Sequence, residues 1–204
     1  IPSLLVALED DDMEVRKRAA LALERIGYIE KILNEYGKEE FDAGLRKILF
    51  LVAEAGVIES LSEKLTSPDG QLQMRIVRLL GEAKTKEAAN PLIELLGTST
   101  DWTLKARIIQ SLGRIGSKDS IPIMIENLKN NEYWVRTSAV EALGLLQATE
   151  YSDDVAKLLE DPNPLARESA LIALSKLKVT THWDSIEKLL MDPSTTVRSV
   201  ALKV

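Results

Sequence analysis

Seven times along its 204 residues the chain returns to one short pattern, an apolar residue followed in most copies by a basic one: Val15-Arg16, Leu45-Arg46, Leu72-Gln73, Leu104-Lys105, Val135-Arg136, Ala166-Arg167 and Val197-Arg198. Successive copies lie 30, 27, 32, 31, 31 and 31 residues apart. A period in this range defines a stack of supersecondary units that bury their apolar faces only against their neighbours. The expected organisation is therefore one elongated array over residues 1–204, not two globular domains. Its repeats fall at about 1–27, 28–56, 57–86, 87–117, 118–148, 149–179 and 180–204, the last one truncated.

Composition decides what the repeats are made of. Hydrophobic residues make up 45% of the chain but aromatic ones only 4%, so Leu, Ile, Val and Ala do the packing, which suits small helical repeats and leaves an all-β reading little support. With no cysteine, nothing indicates a disulfide framework, a thiolate metal site or a cysteine nucleophile. A reducing, cytoplasmic setting is the expectation. The longest unbroken apolar run, Ile48 to Ala53, is far short of the ~20 residues a membrane span requires, so no membrane role is expected and the chain reads as soluble. It opens at Ile1 without an initiator methionine, and neither end carries a polar cap, as expected of a piece of a longer protein.

Each unit can be built position by position. Fourteen residues before each basic slot stand Pro2, Ile32, Glu59, Pro91, Pro122, Asp153 and Asp184. Proline needs no N–H donor in a first helical turn, and an acidic group meets the positive end of the helix dipole, so these positions open a helix A. Six residues before the basic slot come Asp10, Glu40, Ser67, Ser99, Asn130, Asp161 and Asp192, which are turn residues. Helix B is then expected from the apolar-basic pair onward, with an apolar residue four places after the first member: Ala19, Leu49, Ile76, Ile108, Ala139, Ala170 and Ala201. Gly27, Gly56 and Gly116 are placed to end it in the left-handed conformation.

Two helices per ~31 residues, with Asp-Pro in the turn (Asp161-Pro162, Asp192-Pro193) and Val-Arg opening helix B, resemble the HEAT-like repeats of the phycobilin lyase type. The resemblance covers the whole chain, most clearly from Ala88 to Val204. The connector Tyr36 to Ala43 departs from it, and Gly56 to Leu65, within the stretch 56–84, has armadillo-like character. It implies an all-α fold: a right-handed α-α superhelix of about seven two-helix repeats, with one face of helix B lining the concave surface.

Residues for chemistry are mostly lacking. His182 is the only histidine and reads as a surface loop residue, so neither a transition-metal site nor any other cofactor is expected. The run Glu9 to Asp12 lacks the ligand spacing of a calcium loop and reads as a connector. The recurring acidic turn residue and Arg, as in Asp161 with Arg167 and Asp192 with Arg198, are expected to form a structural ladder across or between repeats. Trp102 and Tyr133 fall in equivalent slots with Trp134 alongside. They suggest an aromatic edge, though burial between repeats is the commoner reason for such residues, and Trp183 reads as core.

The functional signal lies two, three, six and ten places after the apolar residue of each pair. Those slots hold Lys17, Arg18, Leu21 and Arg25, then Lys47, Ile48 and Leu51, then Met74, Arg75 and Arg78, then Arg107 and Arg114. Glu82 is the one acid among them, although the chain's net charge is −6. In the last three repeats Thr137, Ser138, Glu141, Leu145, Glu168, Ser169, Ile172 and Lys176 occupy the slots, and the strip loses its sign. A basic strip with apolar anchors suits a non-catalytic scaffold that holds an acidic, partly apolar segment of another protein. Some helical-repeat proteins, an alkylpurine glycosylase family among them, cradle duplex DNA on such a strip. Here the acidic pI near 5.1 and the lack of aromatic residues in the slots weigh against nucleic acid. The family resemblance further implies a lyase or chaperone-lyase role toward a bilin-carrying protein, for which no residue can be assigned.

Overall fold

The computed structural model describes residues 1–36, 43–179 and 181–204. Among these residues the chain is all-α, a solenoid of paired helices, with fourteen α-helices and no strand. Helix A of each pair is short: α1 (Pro2–Ala7), α3 (Tyr28–Tyr36), α5 (Glu59–Glu63), α7 (Ala89–Thr98), α9 (Ile121–Asn127), α11 (Ser152–Ala156) and α13 (Trp183–Lys188). The B helices are mostly longer: α2 (Met13–Arg25), α4 (Ala43–Glu54), α6 (Gly70–Glu82), α8 (Trp102–Ile115), α10 (Tyr133–Leu145), α12 (Pro164–Leu177) and α14 (Thr195–Ala201). The chain packs as two compact units, Ile1–Leu95 and Leu96–Val204.

Every B helix starts two residues before the expected pair, and in each but α4 the cap lies three residues ahead of the apolar member. Asp12, Asp69, Asp101 and Asn163 are extended there, and their side chains accept the backbone N–H groups of the first turn. The residue two places before the cap makes the turn itself. Asp10, Asn130, Asp161 and Asp192 each accept, on the side-chain oxygen, the N–H of the residue two ahead, at 2.8 to 3.0 Å. Glu40 and most of its connector lie outside the described residues. Most A helices begin within two residues of the expected position. The exception is α3, which opens at Tyr28, four residues before Ile32, because Gly27 reverses the chain at φ +70° and its carbonyl already accepts the Lys31 N–H.

All seven apolar residues four places into helix B are buried, from Leu49, Ile76, Ile108, Ala139 and Ala170 at 0% exposure to Ala201 at 5%. Gly27, Gly56 and Gly116 are left-handed as expected. Lys84, Gln147 and Lys178 take the same conformation at the ends of α6, α10 and α12, where a β-carbon costs roughly 1 kcal/mol. In the second unit the B helices approach closely because a glycine faces an alanine. A Cβ on Gly113 would stand 2.9 Å from the Ala142 Cβ, and one on Gly144 would stand 3.2 Å from the Ala173 Cα.

The acidic-basic ladder runs between repeats of this second unit. Arg136 donates from Nε and Nη2 to the two carboxylate oxygens of Asp161, 25 residues on, at 2.6 and 2.7 Å. Its Nη1 reaches back to the Asn130 carbonyl in its own turn at 2.8 Å. Arg167 repeats the arrangement with Asp192 and with the Asp161 carbonyl. Both pairs are nearly buried, with Asp161 and Asp192 side chains 6% and 4% exposed. Where the basic slot holds Lys105, the residue 25 further on is Asn130, which has no carboxylate to offer.

Candidate partner-binding surface

In the first unit the expected strip exists on the B helices. α2 exposes Lys17, Arg18, Leu21 and Arg25, and α4, packed beside it, exposes Lys47, with Ile48 and Leu51 half-buried. α6, packed on α4, exposes Arg78 and half-buries Met74 and Arg75. An open groove of about 380 Å³ on α2 is lined by Arg18, Leu21, Ala22, Arg25 and Ile26. Leu21 and Ile26 there are 37% and 55% exposed. Ile26 was invisible to the slot reading, because it follows the last helical residue and faces outward only once Gly27 has turned the chain.

Carboxylates answer part of this positive charge. Glu14 pairs with Arg18 at 2.9 Å, and Glu9 with Lys47 at 2.7 Å, in contacts open to solvent. Glu82 is engaged twice, by Arg78 at 2.7 Å on its own helix and by Arg46 from α4. It therefore ties two helices together, a structural duty the slot pattern did not suggest. Lys17 and Arg25 have no ion-pair partner among the described residues.

In the second unit Arg114 is exposed on α8, and Arg107 is half-buried, donating to Gln110 at 3.2 Å. The slots that follow correct the expectation that they all escape the core: Thr137, Ser138 and Ser169 are buried. The close approach of helices at Gly113 and Gly144 covers them, and polar bonds cross the seam from Gln110 to Ser138 and from Ser169 to Glu141. The tryptophans correct the expectation in the other direction. Trp102 and Trp134 are 41% and 43% exposed, Tyr133 is half-buried against the Trp134 ring at 5.0 Å, and Trp183, read as core, is 56% exposed. Helical side chains lean toward the N-terminus, so aromatic residues in a first turn overhang the helix end.

His182 is less exposed than a surface loop residue, its side chain 17% accessible and Nε2 3.2 Å from Asp153 Oδ1. Among the described residues no group of three or more His, Cys, Asp or Glu side chains could hold a metal ion, and no helix is long and apolar enough to cross a membrane.

Repeated helix pairs with capped turns and an inter-repeat ladder define a helical-repeat protein. HEAT repeat profiles match residues 58–144 and 128–204, and a further HEAT repeat profile matches residues 1–29. The chain belongs to the HEAT repeat family, a fold associated with protein interaction. Against curated protein sequences nothing matches significantly. Among solved structures, an engineered protein is 19% identical, with 98% of this chain and 93% of that chain covered and a TM-score of 0.57. The YibA protein of Escherichia coli is 17% identical, with 99% and 92% covered and a TM-score of 0.52. The complex of CpcE and CpcF of phycocyanin lyase from Nostoc sp. PCC7120 is 20% identical, with 98% and 84% covered and a TM-score of 0.48. Likeness at such identities shows the fold alone.

Proposed function

We propose that this chain is a non-catalytic interaction scaffold of the cytoplasm whose first unit holds an acidic, partly apolar segment of another protein on its B-helix face. The observation that carries this reading is the α2 groove, where exposed Leu21 lies between Arg18 and Arg25 along the helix and exposed Ile26 follows them. Arg18 and Arg25 are seven residues apart on one helix, about 10.5 Å along its axis. Exposed apolar side chains beside two guanidinium groups suit an amphipathic segment that offers an apolar anchor and carboxylates. Lys17 and Lys47 add positive potential that raises the encounter rate with such a partner. Arg75 and Arg78 extend the strip along α6. Arg107, Arg114 and the aromatic edge of Trp102, Tyr133 and Trp134 are further contact points offered by the second unit.

The test is fluorescence anisotropy with an acidic amphipathic peptide, a basic peptide of matched length and duplex DNA, each at low and moderate salt. Only the acidic peptide should bind tightly, and Lys17→Glu with Arg25→Glu should weaken it about tenfold or more while the melting temperature stays within a degree or two. Tighter, steeply salt-dependent binding of the duplex would establish the nucleic-acid reading in its place.

A further inference from the structure

We propose that the starts of the B helices in the second unit form a docking edge for a basic, proline-rich segment of a partner protein, held in the polyproline conformation across α8, α10 and α12. The edge takes a ligand of opposite charge to that of the first unit's strip and is independent of it.

α10 packs between α8 and α12, and α14 packs on α12, so the exposure of these helix starts does not come from either end of the chain. The first two helical positions hold Trp102 and Thr103 on α8, Tyr133 and Trp134 on α10, and Pro164 and Leu165 on α12. Leu165 is 40% exposed, as open as Trp102 and Trp134. An uncovered apolar side chain thus recurs once per repeat along one edge, and exposed apolar surface of this kind marks interaction sites.

Spacing, hydrogen bonding and charge select the occupant. Packed helices stand about 8 to 10 Å apart, and Gly113 and Gly144 bring these three close together. A polyproline helix has three residues per turn and rises about 3.1 Å per residue, so one of its faces returns every ~9.3 Å. Prolines at every third position therefore meet one apolar or aromatic side chain on each B helix. The indole N–H groups of Trp102 and Trp134 make no hydrogen bond among the described residues. A polyproline segment has no internal hydrogen bonds and offers its carbonyls as acceptors for them.

Asp101 and Glu132 stand immediately before the aromatic residues and are the exposed charged residues of these helix starts. Arg136 and Arg167 are neutralised by Asp161 and Asp192, and Lys105 in the same row is half-buried. The Thr103 hydroxyl donates to Asp101 at 2.6 Å and holds that carboxyl below its ordinary value of 3.8. The Glu132 carboxylate makes no hydrogen bond or ion pair among the described residues. Carboxylates beside exposed indole rings suit arginine, which pairs with the one and stacks on the other.

The test is fluorescence anisotropy with a labelled peptide carrying proline at every third position and arginine at both ends, which should bind with micromolar affinity. Peptides with alanine in place of proline, or glutamate in place of arginine, should each bind about tenfold more weakly or worse. Trp102→Ala and Trp134→Ala should each weaken the parent peptide about tenfold. Asp101→Asn keeps a capping side chain, as Asn163 does on α12, but removes the charge. Combined with Glu132→Gln, it should weaken binding about threefold to tenfold and flatten its salt dependence. Circular dichroism melts establish that each variant is folded; if a tryptophan variant is not, the carboxylate variant still decides. Lys17→Glu with Arg25→Glu should leave this binding unchanged, which separates the outcome from that of the acidic-peptide titration. No binding up to millimolar peptide, either control peptide binding as tightly as the parent, or binding indifferent to the edge substitutions overturns the proposal.

Discussion

Arg136 and Asp161 lie 25 residues apart and meet through two parallel hydrogen bonds of 2.6 and 2.7 Å, with side chains only 12% and 6% exposed. The carboxylate raises the affinity of the guanidinium for its proton, so the Arg is charged at every pH at which the fold exists. Because the pair is withdrawn from water, removing one member leaves the other uncompensated. Arg136→Ala should lower stability by about 3 kcal/mol. Arg18→Ala, at an ion pair open to solvent, should cost under about 0.5 kcal/mol. Urea titration of both variants compares the two directly.

The second rung makes stability depend on acid. The hydrogen bond from Arg167 holds the Asp192 carboxyl below its ordinary value of 3.8. A group whose folded value is depressed contributes stability that is fully present above the unfolded value and is lost as pH falls through the folded one. Melting temperature should therefore decline from about pH 4 downward. Asp192→Asn should melt lower than the parent at neutral pH and show a shallower decline in acid. Parallel acid limbs for the two proteins would contradict this assignment.

Helix spacing in the second unit rests on the absence of a methyl group. Gly113→Ala would drive a Cβ to 2.9 Å from Ala142 Cβ and 3.1 Å from its backbone Cα, which cannot yield without separating α8 from α10. A loss of about 1 to 3 kcal/mol is expected. At Gly97 the nearest atom to an added Cβ is 4.0 Å away. There, relief of the helix penalty of glycine should make Gly97→Ala neutral, or stabilising by up to about 1 kcal/mol. Chemical denaturation should show Gly113→Ala destabilised and Gly97→Ala not.

Three B helices end on a left-handed residue that carries a β-carbon. Lys178→Gly should raise stability by up to about 1 kcal/mol, since φ +55° then carries no steric cost. Gly116→Ala should lower it by a similar amount, about 1 kcal/mol, although nothing within 4 Å opposes the added methyl. Thermal melts of the two variants test the conformational argument free of packing.

The cations of the first unit divide into two groups. Lys17→Glu and Arg25→Glu should leave the melting point unchanged, since both side chains are exposed and unpaired among the described residues. Arg78→Glu brings a carboxylate onto Glu82, which already serves Arg46. It should cost about 0.5 to 1 kcal/mol, detectable by calorimetry, so loss of partner binding in that variant would report the fold as well as the surface.

Periodicity alone placed the seven helix pairs, the buried residue four places into every B helix and the left-handed glycines at 27, 56 and 116, because each depends on interactions within about one helical turn. The alternation of caps and turn residues is local in the same sense, although the caps at Asp12, Asp69, Asp101 and Asn163 stand two residues nearer the helix than the turn positions Asp10, Ser67, Ser99 and Asp161. What the tertiary structure decided involves partners a whole repeat apart. Arg136 chose Asp161 in the next repeat and not an acid in its own, Glu82 joined Arg46 to Arg78, and Thr137, Ser138 and Ser169 went inside while Trp102, Trp134 and Trp183 stayed out. For the buried Thr137, Ser138 and Ser169 the cause is how closely neighbouring helices pack, a distance set where Gly113 meets Ala142 and Gly144 meets Ala173, contacts that no pattern within a single repeat contains.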